Sequence, residues 1–267
     1  MKKMTLISLM LVSLMTTGLP GRATEPVTED IPSGPSGLSG VKPLTGGVAQ
    51  ETYGFSDDLD LVEAQVRKNP QDPEAWFLLA VAYSRTPYVE RALEGLEQSK
   101  RVARKHPEGF GIFDRKIAEY EKMLAKNPDD VLLLYRIGFG YYMRGYAVDH
   151  KYIRNSEQPA SYYYDQSEGA FRHLLRVDPN DSMAMNYLGF LLAERNPDGN
   201  FDQAVGLWRD SIKISSDNPG AYMLLGQAAM KKGNLRQAVE YSTKALQARN
   251  AWLEAHQINP DTVKVRL

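Results

Sequence analysis

Between Pro219 and Asn250 apolar and small side chains recur at helical spacing and fall into two blocks. Tyr222, Leu225, Gly226 and Ala229 stand at i, i+3, i+4 and i+7, one face of a helix. After a turn at Gly233-Asn234, Ala238, Tyr241, Ser242 and Ala245 repeat that spacing. The pattern predicts two short helices joined by a tight turn. A pair this small cannot bury its own apolar face, so it implies neighbours of the same kind.

The same template recurs upstream. Trp76, Leu79, Ala80 and Tyr83 take the positions of Tyr222, Leu225, Gly226 and Ala229, and Ala92 and Leu96 follow as Ala238 and Ser242 do. Ala80 and Ala92 are 12 residues apart, as are Gly226 and Ala238. Leu134, Ile137, Gly138 and Tyr141 begin another unit, which closes with Ser167, Phe171, Leu174 and Pro179. Met185, Leu188, Gly189 and Leu192, then Ala204, Trp208 and Ser211, make one more. Ahead of them, a short amphipathic helix over 59–67 stops at Asn69-Pro70, and Asp72-Pro73 opens the next helix with proline in its first turn.

These units resemble the tetratricopeptide repeat, a helix-turn-helix of about 34 residues. That family places a bulky residue, Leu-Gly and Tyr on the first helix, and Ala, an aromatic and Ala on the second, followed by Pro. The small sites are where helix axes approach closely. The resemblance implies an all-α fold, a right-handed superhelical solenoid of antiparallel helix pairs. It places repeats at 73–106, 131–181, 182–218 and 219–252 within a helical domain over 55–257, with a tail at 258–267.

Several departures carry information. Proline is missing at the end of the first, third and fourth units (Arg104, Ser216, Asn250), and Leu174 replaces the second Ala of the second unit. An extra helix over 113–126, ended by Asn127-Pro128, resembles the second helix of a repeat without its first. An odd helix reverses the chain, so the superhelix is expected to kink there and residues 59–106 to dock as a sub-array. Between the two helices of the second unit lies an insertion, 147–163, which reads as a long loop of the kind that often carries function. Tyr152, Tyr162 and Tyr163 cluster in it with His150 and Arg154, and tyrosine is enriched at interfaces.

The N-terminus changes the expected location. Lys2 and Lys3 precede the apolar run Met4–Met15, and small residues follow to Ala23. That order is the one of a secretory signal over 1–23, too short for a stable spanning helix. A periplasmic or secreted protein is expected, with an uncleaved N-terminal membrane anchor facing the periplasm as the alternative; no later segment reads as membrane-spanning. The glycine- and proline-rich stretch within 24–54 reads as a flexible linker. The resemblance, joined to this leader, is to an exported bacterial member of the family.

Composition removes chemistries. There is no cysteine, and the net charge of −1 gives no pull toward nucleic acid. No HExxH, GxSxG or phosphate-cradling motif occurs, and the four histidines are scattered. Asp149-His150 lacks a nucleophile and a third partner. The basic run Lys100–His106 reads as a solvated helix end. Neither catalytic residue, cofactor nor metal is assigned, and the chain is not read as an enzyme.

What remains is binding. In the family the inner groove is lined by the first helix of each pair. Carried over by position, the lining is Phe77 and Val81, then Tyr135, Phe139 and Tyr142, then Asn186 and Phe190, then Met223, Gln227 and Met230. This face is rich in aromatics and methionine, which suits adaptable protein contacts. The reading is a non-catalytic adaptor or scaffold of the bacterial cell envelope that binds a protein segment in the groove. Its alternatives are a self-associating structural protein, a homo-oligomer through the insertion, or an accessory subunit of an envelope assembly machine such as cytochrome c maturation or outer-membrane biogenesis. Whether the groove is open or filled by the chain itself is not decided by the sequence.

Overall fold

The computed structural model describes residues 59–255 except 87, 197 and 198. The expected leader (1–23), linker (24–54) and tail (258–267) lie outside the described residues. Among the described residues the chain forms ten helices and no strand: α1 Leu59–Lys68, α2 Pro73–Ser84, α3 Val89–Ala103, α4 Gly111–Leu124, α5 Val131–Asp149, α6 Ala160–Val177, α7 Ser182–Arg195, α8 Phe201–Ile214, α9 Pro219–Lys231 and α10 Leu235–Ala255. No described helix is long and apolar enough to cross a membrane.

The first helix of each unit starts the same way. Asp72, Asp130, Asp181 and Asn218 stand at its N-cap in extended backbone. Their side chains accept the N–H groups of Glu74 (2.8 Å), Leu133 (3.0 Å), Ala184 (2.8 Å) and Ala221 (3.2 Å). Each satisfies a backbone donor that would otherwise lack a partner, a contribution of about 1 kcal/mol. Serine hydroxyls then tie second helices to first ones. Ser99 donates to the Pro73 carbonyl at 2.6 Å, and Ser211 to the Ser182 carbonyl at 2.9 Å.

Packing follows the small-residue template. α2 lies against α3, α5 against α6, α7 against α8 and α9 against α10. Gly189 makes the third pair close: a Cβ there would stand 2.5 Å from Trp208 Nε1. Successive pairs stack through α6 with α7 and α8 with α9, so α5, α7 and α9 are the successive first helices of the array.

The odd helix, α4, packs on α5 like the second helix of a preceding unit. Its Ile117 lies where a Cβ on Gly140 would be only 2.9 Å away. Tyr141 donates to Glu121 at 2.5 Å, and Arg144 pairs with Asp114 at 2.6 Å. α2 leans on both α4 and α5, through the Phe77–Phe113 ring pair at 5.6 Å and the Lys116–Glu74 ion pair at 2.8 Å. α3, directed by that placement, reaches across to α5 and α9.

Two expectations need correction. The insertion is not a loop over 147–163: α5 continues through Asp149 and α6 begins at Ala160, leaving 150–159 as the non-helical part. The helices extend because Ala147 and Tyr163 are buried and gain packing there, while Pro159 suits the α6 N-cap. The basic run Lys100–His106 is not wholly solvated either. Lys100 is only 5% exposed, because it faces α5 rather than solvent.

Candidate functional site

The concave face is built on α2, α5, α7 and α9, and its residues fall into two groups. Phe77, Val81, Tyr135, Phe139, Tyr142 and Asn186, read from the family pattern as groove lining, are buried. The chain's own helices and side chains enclose them. Tyr135 Oη donates to both Asp181 oxygens at 2.9 and 3.0 Å. Phe139 meets Phe171 at 5.3 Å and Tyr187 at 4.9 Å, edge to face. Asn186 donates to Asn218 Oδ1 at 3.2 Å, and its carbonyl accepts Trp208 Nε1 at 3.1 Å. These six are interior residues and not an open surface. Stacked pairs bury the inward positions of first helices whenever side chains are large enough to meet across them.

Phe190, Met223, Gln227 and Met230 remain accessible. Phe190 is half-buried with its ring 6.0 Å from that of Tyr142, Met223 and Gln227 are half-buried, and Met230 is 38% exposed. The concave face is therefore closed at α5 and accessible toward α9.

Tyr142 marks the boundary. Its hydroxyl accepts from Lys100 Nζ of α3 at 3.2 Å. The same ammonium lies 3.9 Å from the Tyr146 ring centroid and 5.1 Å from that of Tyr142. Burial pushes the Lys100 pKa down, while the Glu194 and Glu97 carboxylates pull it back up. Burial also holds the Tyr142 hydroxyl well above its ordinary range, with Glu194 adding to the effect. A cation and two rings thus meet at the contact of α3 with α5, with the Glu97 carboxylate of α3 itself 3.5 Å from the ammonium. Lys100, Arg104 and Phe110 carry no family signal, since only the path of α3 brings them here.

The insertion packs onto this contact. Tyr152 stacks on Phe110 at 5.6 Å and 9°, and the Arg104 guanidinium sits 4.9 Å from its ring centre. His150 stacks on Tyr146 at 3.8 Å, with Nδ1 2.9 Å from the Tyr146 carbonyl. Asp149 is 3.8 Å from His150. Tyr163 is buried under Arg144, 5.2 Å away, and its hydroxyl meets Ser156 Oγ at 3.2 Å. Tyr162 is 40% exposed beside it, and Arg154 is exposed at the rim of a shallow hollow with Lys151 and Glu157. So His150 and Tyr163 pack within the fold, Tyr152 is stacked on Phe110 yet as exposed as Tyr162, and Tyr162 and Arg154 face outward. No group of three His, Asp or Glu side chains suited to a metal occurs among the described residues.

A second apolar surface lies on the last helix. Leu235 and Val239 are 66% exposed and Leu246 48%, on one face of α10. No template position pointed to it, because in an array that face belongs to the next unit.

Comparison with known proteins bears on the last pair first. Residues 219–251 match the family model described as tetratricopeptide repeat. No curated protein matches the chain. Among solved structures, one of MamA aligns with 73% of this chain and 89% of its own at 16% identity and a TM-score of 0.36. Another, TTC0263, a thermophilic TPR protein in Thermus thermophilus, aligns with 75% of this chain and 89% of its own at 20% identity and a TM-score of 0.40. The match falls on the pair whose spacing the upstream pairs repeat, and those pairs share its caps and its close helix approach; residues 219–251 are a tetratricopeptide repeat.

Proposed function

We propose that this protein is a non-catalytic protein–protein adaptor of the bacterial cell envelope that takes a partner's amphipathic helix on the accessible, α9 end of its concave face. The observation that carries the reading is the contrast along that face: Phe77 and Phe139 are closed off, while Met223 and Gln227 stay half-buried and Met230 stays exposed. Flexible methionines beside an aromatic suit an apolar helix face and adapt to its shape. The signal-like order of residues 1–23 supports export, and an accessory role in an envelope assembly machine fits both features. Photo-crosslinkers placed at 223 and 230 in producing cells should give adducts of discrete mass, and one at 139 should give none. Adducts from all three positions, or from none, would reject the reading. N-terminal sequencing of the envelope fraction should start after Ala23.

The α10 stripe favours a second reading, self-association. It predicts a mass of two chains by light scattering, reduced to one by Leu235→Glu/Val239→Glu.

A further inference from the structure

The last helix pair repeats the pair before it position by position, except that among the described residues no further helix lies on it. Phe201, Val205 and Ile212 of α8 stand three before, one after and eight after the small site Ala204; Leu235, Val239 and Leu246 of α10 hold the same places about Ala238. α9 packs on α8, with Lys231 4.6 Å from the Phe201 ring centre, and there Phe201 and Val205 are 8% exposed and Ile212 is half-buried. Their counterparts Leu235 and Val239 are 66% exposed. The three residues on α10 lie within about 40° of one another around the helix, one narrow stripe.

First helices show the same contrast. Tyr135 on α5 and Asn186 on α7, each three before its glycine, are buried and donate to Asp181 and Asn218, the N-caps of the next first helices. Further along α5, Tyr142 meets Phe190 in the second half of α7, so successive first helices run parallel. On α9 the place of Tyr135 and Asn186 is taken by Met223, which is half-buried, and Met230 stands exposed where α7 has the buried Ala193. The accessible end of the concave face and the α10 stripe are thus two sides of one stacking face. Solenoid ends need a polar outer surface for solubility, and this one is apolar.

The internal copies also define what fits such a face. α7 sets Tyr187 against Phe139 and Phe171 of the preceding pair, with Ala184 and Leu191 at i and i+7 beside it. α9 carries Ala221, Leu224 and Ala228 at the same places, and all six side chains are buried. In a second copy of this chain those faces are already covered, so neither helix is free to supply one.

We propose that the α9–α10 end is a docking site for a partner's helix, which stacks there as the next first helix, parallel to α9. That helix presents a small residue, a large apolar one and a further apolar one at i, i+3 and i+7. This rests on the adaptor reading above and adds the surface, the direction and the face of the partner. Met223 offers the incoming N-terminus no hydrogen bond, so affinity comes from apolar contact along α9 and α10 together.

Photo-crosslinking on the purified full chain tests it, with a capped synthetic peptide of residues 218–232 as probe, since that peptide carries the α9 face. A crosslinker at 239 should join the peptide one to one. One at 223 should reach the peptide's first turn and one at 230 its second half. Val239→Glu in the chain, or Leu224→Glu in the peptide, should weaken binding at least about tenfold. Gln247→Glu, exposed on the same helix but off the stripe, should leave it within about twofold. No adduct at 239, adducts in the reverse order, a product of two chains, or one within a chain to residues 256–267 overturns the proposal. The in-cell crosslinks from 223 and 230 read the adaptor function separately, so a partner held there but never joined from 239 would sink the stacking alone.

Discussion

A methyl group at position 189 has no room. Its carbon would sit 2.5 Å from Trp208 Nε1, and that nitrogen is held by the Asn186 carbonyl. Alanine favours a helix over glycine by about 1 kcal/mol, yet overpacking costs about 1–3 kcal/mol. Gly189→Ala should therefore lower stability on balance, with an earlier denaturation midpoint. Asp181 is a different case. Burial raises its pKa to about 6, against the opposing bonds from the Ala184 N–H and the Tyr135 hydroxyl. The folded state thus holds a proton that the unfolded state releases from about pH 4 upward. Stability from this group is present in acid and is lost as pH rises through about 6. Asp181→Asn keeps the cap and the acceptor for Tyr135 without the charge. Its stability relative to wild type should increase between pH 4 and 6.5, by up to about 3 kcal/mol. Unfolding in denaturant across that range would show it, and a flat difference would refute it. The small site at Gly189 was legible as one member of a repeated pattern. The burial of Asp181 was not, since an acidic N-cap looks the same whether or not a neighbouring Tyr135 covers it.

At the scale of elements, the helix pairs were legible from spacing, and the second unit's insertion from simple counting. The division of that insertion was not. Local sequence assigns 147–163 to a loop, but Ala147 and Tyr163 find tertiary contacts that lengthen α5 and α6. The course of α3 was illegible for the same reason. Leu96 and Ser99 fulfil the repeat pattern against α2, and nothing nearby announces that Lys100 will meet Tyr142 on a helix 42 residues away. The insertion's hold on the end of α3 belongs to the same scale. Removing the Tyr152 ring should cost about 1 kcal/mol of stacking and cation–π energy. The loss should appear as faster amide exchange at the C-terminal turns of α3, with α7 to α10 unchanged. Uniform acceleration across the chain would mean the ring supports the whole fold instead.

For the whole molecule, a solenoid built of short pairs should present a concave face, and this one covers part of its own. The array from α5 to α10 remains regular, with α4 standing in as a second helix at its start. α2 and α3 then fold onto it. The family positions name residues of the first helices but not which of them are interior, because whether Tyr135 and Phe139 face a partner or their own chain depends on contacts between distant segments. The two ends also differ. Leu235 and Val239 leave the last helix apolar on its outer side, so Leu235→Glu/Val239→Glu should reduce any dimer to single chains in light scattering. The central claim is that a partner helix binds at the accessible end of the concave face. Selection of random helical peptides against the purified full chain tests it most directly. The account predicts enriched amphipathic sequences whose binding falls at least about tenfold with Met223→Glu/Met230→Glu. No enrichment, or equal binding to wild type and to that double variant, would contradict it.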